Sequence, residues 1–349
     1  MSAVEWLDSL SPWPRDGFGL DRMRALLAEL GDPQLAFPAI HVVGTNGKST
    51  ATITIEQLLL SEGLSVGSTI SPHVESWSER IRLDGEEADV EEAVARVRPA
   101  AETLDATQFE VVTAAALALF AAREVGVAVV EAGLGGRHDA TNVLQSRVVL
   151  LTNVALEHTD VLGDTLEAIA REKLAVAQAG SIVFLPDETY ADLVPAGEIR
   201  FGGAREAAEA FMGHAIAAIP AVVLPGRLER RGEAEIRDGA HNPHGARYLL
   251  EWLPPGDYTI VASILSDKNA DEMLRELRRA GSRLVATRSS SPRALPAADL
   301  AELAGPYFDH VEWVDNPADA LARAHELGEP VLVTGSLYLL GDIAAGERE

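Results

Sequence analysis

The stretch Ile40 to Thr50 (IHVVGTNGKST) constrains this chain more than any other. It is a short apolar run, a glycine-bearing turn, a Lys-Ser-Thr cluster and a helical continuation to about Leu60. A buried strand that turns directly into a helix is the opening unit of a parallel sheet covered by helices. The turn also suits an anion. Gly44 and Gly47 let the backbone N–H groups of the turn, Thr45 and Asn46 included, curl round a phosphate at the positive end of the helix. Lys48 can reach the outer phosphates, and the hydroxyl of Ser49 or Thr50 can ligate Mg²⁺. The strict phosphate-loop pattern has glycine where this chain has Val42. The motif is therefore a variant, and a Gly-Lys-Ser turn without a ligand is the alternative to it.

Further along, Val127 to Ala132 and Val148 to Val154 are short, wholly apolar runs of the kind buried on both faces of a parallel sheet. Leu20 to Leu30, Glu86 to Leu104 and Glu110 to Arg123 carry helical spacing, the first stopped by Gly31 and Pro33. Ser71-Pro72-His73 and Glu79 to Gly85 read as a loop and a short hairpin. From Phe184 to Val223 the pattern loses clarity, and Leu224-Pro225-Gly226 marks a boundary. The expected fold is α/β in two domains, a nucleotide-binding parallel sheet over 1–224 and a smaller Rossmann-like domain over 225–349. In the second, strands are expected near 234–237, 258–263, 283–286 and 330–333, with helices near 244–252, 270–280, 297–303 and 317–326.

Several residues carry candidate chemistry. Glu131 ends an apolar strand beside Gly133, Gly135 and Gly136, where a carboxylate suits Mg²⁺. His158 follows the strand that ends in Leu151-Thr152-Asn153. Asp164 reads as a helix cap with Glu167 as its capping-box partner. On the helix Thr165 to Ala179, Lys173 falls on the apolar stripe with Leu166, Ile169, Ala170, Leu174 and Ala177. A buried amine there could be neutral and take up carbon dioxide as a metal-binding carbamate, or the lysine could snorkel; periodicity leaves both open. Arg227 follows the boundary, and Asp238 and His241 sit at the mouth of the second sheet, with Asn242 as helix cap and Pro243 at the first helical position.

Composition sharpens this list. Of 29 basic residues only Lys48, Lys173 and Lys268 are lysines, which marks all three as candidates. The absence of cysteine excludes disulfides, thiolate metal sites and a thiol nucleophile. A net charge of −25 argues against nucleic acid or an anionic membrane as partner. With no signal pattern and no long apolar run, a cytoplasmic location is expected.

From about Leu20 to Leu340 the chain resembles the folylpolyglutamate synthase/dihydrofolate synthase family, relatives of the muramyl-peptide ligases. The resemblance is carried, in order, by Gly44 to Lys48, Ser71-Pro72-His73 with Glu79 to Arg82, Gln108-Phe109-Glu110, Glu131 to Asn142, and Glu157-His158 with Leu162 to Thr165. Arg171-Glu172-Lys173, Pro225-Gly226-Arg227, Asp238 to Pro243, Ser266-Asp267-Lys268 and Thr334 to Tyr338 continue it. The resemblance implies an ATP-dependent ligase that joins L-glutamate to dihydropteroate or to the glutamyl tail of folates through an acyl phosphate. By similarity Lys48 holds phosphates, Ser49, Ser71 and Glu131 surround one Mg²⁺, and His158, Glu131 and a carbamylated Lys173 surround a second. Arg227, Asp238 and His241 would reach ATP on domain closure, and Phe109 and Asp139 would lie near the pterin. Family analogy implies a monomer. The chain departs from the family in three places: Lys48-Ser49-Thr50 is contiguous, only Gly213-His214-Ala215 remains of a Gly-x-His-Gln-x-x-Asn-Ala segment, and the whole is short. The first departure makes a muramyl-peptide ligase the alternative enzyme, and the second makes a nucleotide-binding homologue without ligase activity the alternative class.

Overall fold

The computed structural model describes residues 1–14, 17–219 and 222–348. The chain divides into two compact units, Met1–Val222 and Val223–Glu349. In the first, eight strands form one sheet in the order Glu86–Glu87, Ile81–Leu83, Val66–Thr69, Val127–Glu131, Ala39–Val43, Ser146–Leu151, Ile182–Leu185 and Glu198–Phe201. All pairings are parallel except the two made by Ile81–Leu83, which runs antiparallel to both Val66–Thr69 and Glu86–Glu87. The expected α/β class is what the chain adopts.

Strand Ala39–Val43 is buried along its whole length because both faces are covered. Ile40 and Val42 pack with Ile55, Leu58 and Leu59 of helix Lys48–Ser61, and with Ala207 and Ala208 of helix Ala204–Met212. Ala39 lies in the opposite cluster with Leu117 and Phe120 of helix Gln108–Ala122. Each fully buried Leu, Ile or Phe in these layers contributes roughly 1.5–3 kcal/mol. The central strand is thereby a fixed rail, and the loop leaving its carboxyl end inherits that rigidity.

The second unit holds six strands in the order His310–Trp313, Arg283–Ala286, Thr259–Ala262, Val331–Thr334, Glu235–Arg237 and Glu229–Arg231, parallel but for the last pair. Asn242 caps helix Pro243–Trp252 as expected, its carbonyl oxygen accepting from the Gly245 amide at 2.6 Å.

Three expectations are corrected. Glu86 to Leu104 is no single helix: Glu86–Glu87 pairs in the hairpin, Asp89 caps a short helix Val90–Ala95, and Pro99 opens another, Arg98–Thr103. The cap ahead of Lys173 is Thr165 rather than Asp164; its hydroxyl accepts from Ala168 N, and the helix ends at Leu174. Leu166, placed on the buried stripe by spacing, is exposed. The obscure stretch 184–223 contains an edge strand exposed at all four residues and a helix whose buried face is alanine, which is why no apolar period announces either.

Candidate active site

Three loops leave the carboxyl ends of adjacent strands and meet over helix Lys48–Ser61. The phosphate-loop candidate is zipped to the loop after Leu151. Thr45 N donates to Asn153 O at 3.0 Å and Asn46 N to Asn153 Oδ1 at 3.0 Å. Asn153 Nδ2 and Thr152 Oγ1 both donate to Asn46 O, at 3.0 and 2.7 Å. The contact is close enough that a Cβ at Gly44, where φ is +149°, would land on the Thr152 hydroxyl. Gly47 caps the helix in the left-handed region at φ 77°, as an anion-binding turn requires. Asn153 was visible in the sequence only as a strand end; its role as organiser of the turn comes from pairing across 107 residues.

Glu131 is buried at the end of the neighbouring strand. Its Oε2 accepts from Ser71 N at 3.0 Å, and its Oε1 lies 3.9 Å from Lys48 Nζ. Lys48 Nζ also donates to Thr45 O at 3.3 Å. One carboxylate thus ties the Ser71 loop to the phosphate-loop lysine, with the buried Ser49 one residue further on.

Lys173 is only 3% exposed. Its Nζ donates to Gly44 O at 2.9 Å and to Leu134 O at 3.4 Å. Burial, and secondarily the Lys48 ammonium, lower its pKa from 10.5 to about 7 against the opposing pull of Glu157, Asp139 and Glu172. Near neutral pH a substantial fraction of the amine is therefore uncharged, the state that reacts with carbon dioxide. The glycine turn after Glu131 fixes this arrangement. A Cβ at Gly136 would lie 2.5 Å from the carbonyl oxygens of Glu172 and Lys173, so only glycine lets the turn dock on the end of the lysine's helix.

Beside these residues lies a cavity of about 580 Å³ whose wall includes Ser71, Arg80, Phe109, Asp139 and His158. Phe109 stands in the first turn of its helix. Thr107 caps that helix, its hydroxyl oxygen accepting from Glu110 N, while its own N–H and O–H donate to the Glu110 carboxylate at 2.8 and 2.7 Å and Arg22 Nε donates to the same carboxylate at 2.8 Å. Asp139 is committed to its own loop, accepting from Leu134 N at 2.8 Å, Thr141 N at 3.1 Å and Thr141 Oγ1 at 2.6 Å. Behind Thr141 sits His41, 2.8 Å away and buried, its pKa lowered to about 4 by burial, which outweighs Asp139. Because the threonine proton goes to Asp139, the histidine donates, and the relay holds the carboxylate in place. The spacing of the sequence held no sign of this role for His41. His158 is exposed, adopts left-handed backbone at φ 51°, and opens the short helix Thr159–Leu162.

The expected metal set holds only Glu131 and His158 of the usual acidic and imidazole ligands, completed by two hydroxyls and a modified lysine. Among the described residues no three His, Asp or Glu side chains form a metal site by themselves. The donor set on offer is mainly oxygen, which fits a hard cation such as Mg²⁺.

In the second unit Asp238 accepts from Leu228 N and Ala240 N, both at 2.9 Å, and burial raises its pKa against Arg227 and those amides. Arg227 Nη1 donates to Gly226 O at 2.9 Å, and His241 Nδ1 to Gly239 O at 2.8 Å. The three candidates share one mouth, and Asp238 clamps it.

Known proteins place these features in a family. Residues 42–194 match the Mur ligase middle domain, and residues 226–337 match the Mur ligase glutamate ligase domain. A dihydrofolate synthase/folylpolyglutamate synthase of Mycobacterium tuberculosis is 33% identical over 92% of this chain and 85% of its own. The structure of E. coli FolC in complex with DHPP and ADP superposes with a TM-score of 0.89 at 27% identity, over 100% of this chain and 99% of that one. The Yersinia pestis bifunctional folylpolyglutamate synthase/dihydrofolate synthase with Mn, AMPPNP and L-glutamate bound gives 0.86 at 27%, over 100% and 98%. With both Mur ligase domains present in order and a named relative matched across most of both chains, this chain belongs to the folylpolyglutamate synthase/dihydrofolate synthase family of ATP-dependent ligases.

Proposed function

We propose that the chain joins L-glutamate to dihydropteroate, to the glutamyl tail of folates, or to both, activating the acceptor carboxylate as an acyl phosphate at the expense of ATP. One observation supports this most: Glu131 bonds the Ser71 loop and stands 3.9 Å from Lys48, and Ser71 also lines the cavity that contains Phe109 and Asp139. A phosphate site and an acceptor site therefore share one wall. Gly44 to Thr50 take the phosphates, with Lys48 on the outermost. Phe109 offers an aromatic face to the pterin, and the loop ordered by Asp139 shapes its pocket. Arg227, Asp238 and His241 of the second unit serve the nucleotide.

Ser49, Ser71 and Glu131 would hold one Mg²⁺; His158, Glu131 and a carbamylated Lys173 would hold a second. When bound, the cations supply charge neutralisation for the phosphates and the acceptor carboxylate. The residues of the chain contribute position: the carbonyls of Gly44 and Leu134 fix Lys173 Nζ, and the buried Glu131 keeps Lys48 aimed along the turn. The chemistry needs no protein nucleophile, consistent with a chain without cysteine.

The test is phosphate release from MgATP and L-glutamate, with dihydropteroate in one tube and tetrahydrofolate in another. Release in both supports a bifunctional enzyme, and release in one assigns it. Silence in both with ATP still bound would make the chain a nucleotide-binding homologue, and turnover of a UDP-muramyl peptide would replace the substrate assignment. Lys48→Met should lower release by about 100-fold or more, the scale of one preorganised charged contact to the transferring group.

A further inference from the structure

The strand Glu198–Phe201 closes one side of the eight-stranded sheet. It pairs in parallel with Ile182–Leu185, and among the described residues no strand pairs with its outer side. The amide of Glu198 donates to Ser181 O at 2.8 Å and that of Gly202 to Leu185 O at 3.0 Å. Alternate residues of a strand turn their amide and carbonyl toward the same neighbour. Glu198, Arg200 and Gly202 therefore face into the sheet, while Ile199 and Phe201 turn their backbone groups outward.

The side chains divide with the same period of two. Ile199 and Phe201 share the face of their register partners Val183 and Leu185, and they are 38% and 55% exposed. Glu198 and Arg200 share the other face, where Arg200 Nε donates to Glu198 at 2.8 Å. An outer edge with outward amides and two exposed large apolar side chains is a surface that accepts another strand.

The residues on the edge select which strand. When two identical strands pair antiparallel about a two-fold axis, each face stays on its own side, so only residues an even number of places apart can oppose. Centred on Arg200, the pairing sets Arg200 against Arg200 of the second copy. Centred on Ile199, it sets Glu198 against Arg200 of the second copy on both sides of the axis, and Ile199 against Ile199. Phe201 then meets Gly197, which has no side chain to obstruct the ring. In this register Ile199 exchanges both backbone hydrogen bonds with its counterpart, and the opposite charges fall at the closer, non-hydrogen-bonded positions. A net charge of −25 makes two copies repel in most orientations, whereas this strand carries one charge of each sign.

We propose that this edge is a self-association surface: two copies of the chain pair antiparallel through Glu198–Phe201, in the register centred on Ile199, and join their sheets. The inference is independent of the ligase reading, and it departs from the monomer that the family resemblance implies.

The experiment is sedimentation equilibrium of the full chain over a dilution series reaching about 0.3 mM, which resolves a Kd of that order. Wild type should show a monomer–dimer equilibrium. Glu198→Arg and Arg200→Glu each turn both cross-strand pairs into like charges, and each should raise the dimer Kd by about 10- to 100-fold. Mixed in equal amounts, the two variants bring opposite charges together again across the axis and should form a heterodimer with a Kd near that of wild type. Ile199→Pro removes an amide that faces away from the sheet, so the circular dichroism of the fold is kept while the dimer is lost. Should Ile199→Pro fail to fold, the exposed charge variants decide alone. A single monomer mass throughout the wild-type series overturns the proposal and leaves the edge to solvent or to a strand of a different protein. A dimer with unchanged Kd in Glu198→Arg and Arg200→Glu overturns it too, by placing the contact elsewhere, as does a mixture of the two variants that stays monomeric.

Discussion

Replacing Lys173 by methionine should separate stability from activity in a pH-dependent way. The folded-state pKa of about 7 lies below the ordinary 10.5 of an unfolded lysine. Below pH 7 both states are protonated, and the folded state bears the whole penalty of a buried ammonium. Between pH 7 and 10.5 the unfolded state binds the extra proton, so wild-type stability rises with pH; above 10.5 the penalty is gone. The span from 10.5 down to about 7 corresponds to about 5 kcal/mol. Lys173→Met removes that penalty and loses two hydrogen bonds, to Gly44 O and Leu134 O, worth about 1–1.5 kcal/mol each. Near pH 7 the variant should therefore be more stable by about 2 kcal/mol, although it loses phosphate release. The firmer quantity is the difference between the two proteins. It should shift toward wild type by about 1.4 kcal/mol per pH unit, or about 3 kcal/mol between pH 7 and 9.5. For a unit of this size that is roughly 6–12 °C in Tm. The assay is thermal unfolding of both proteins across that range, in metal-free buffer depleted of carbon dioxide so that no carbamate forms. Parallel Tm curves would refute the argument, because they would mean the Lys173 amine titrates alike in both states.

Three further substitutions probe the frame around the site. Gly136→Ala places a methyl 2.5 Å from two backbone carbonyls and should cost about 1–3 kcal/mol in chemical denaturation while displacing the turn that carries Leu134, so kcat falls with stability. Arg237 is only 2% exposed and bonds both Glu235 and Glu347; Arg237→Met leaves Glu235 buried without it and should destabilise the second unit by about 3–5 kcal/mol, read as an earlier urea transition. Asn242→Ala removes the cap on Gly245 N and should cost about 1 kcal/mol, a result contradicted if the urea midpoint does not move.

Much of this molecule was legible because its signals are local. A strand that runs straight into a glycine turn and a helix needs only neighbouring residues, so Ala39–Val43 and Lys48–Ser61 followed from the sequence, as did the cap at Asn242. Local spacing also placed Lys173 on the buried face of its helix. It failed where burial does not depend on apolar period: strand Glu198–Phe201 is exposed at an edge, and helix Ala204–Met212 buries alanines. Leu166 kept the helical period and still faces solvent, because it sits at the start of a helix beyond the reach of the core. What periodicity left open at Lys173 is decided by Gly44 O, 129 residues away, and by burial and the Lys48 ammonium, which give a buried amine whose pKa is lowered to about 7 rather than a snorkelling cation. The service of Asn153 to the phosphate turn, the relay from His41 through Thr141 to Asp139, and the stacking of Arg80 on Trp77 are likewise decided in space. The sequence by itself determined which side chains offer the charge, hydroxyl and aromatic chemistry proposed for phosphate, metal and acceptor. Only the tertiary structure decided which of them hold charge and which hold position, because desolvation and hydrogen-bond partners are properties of the packed neighbourhood and not of the chain order.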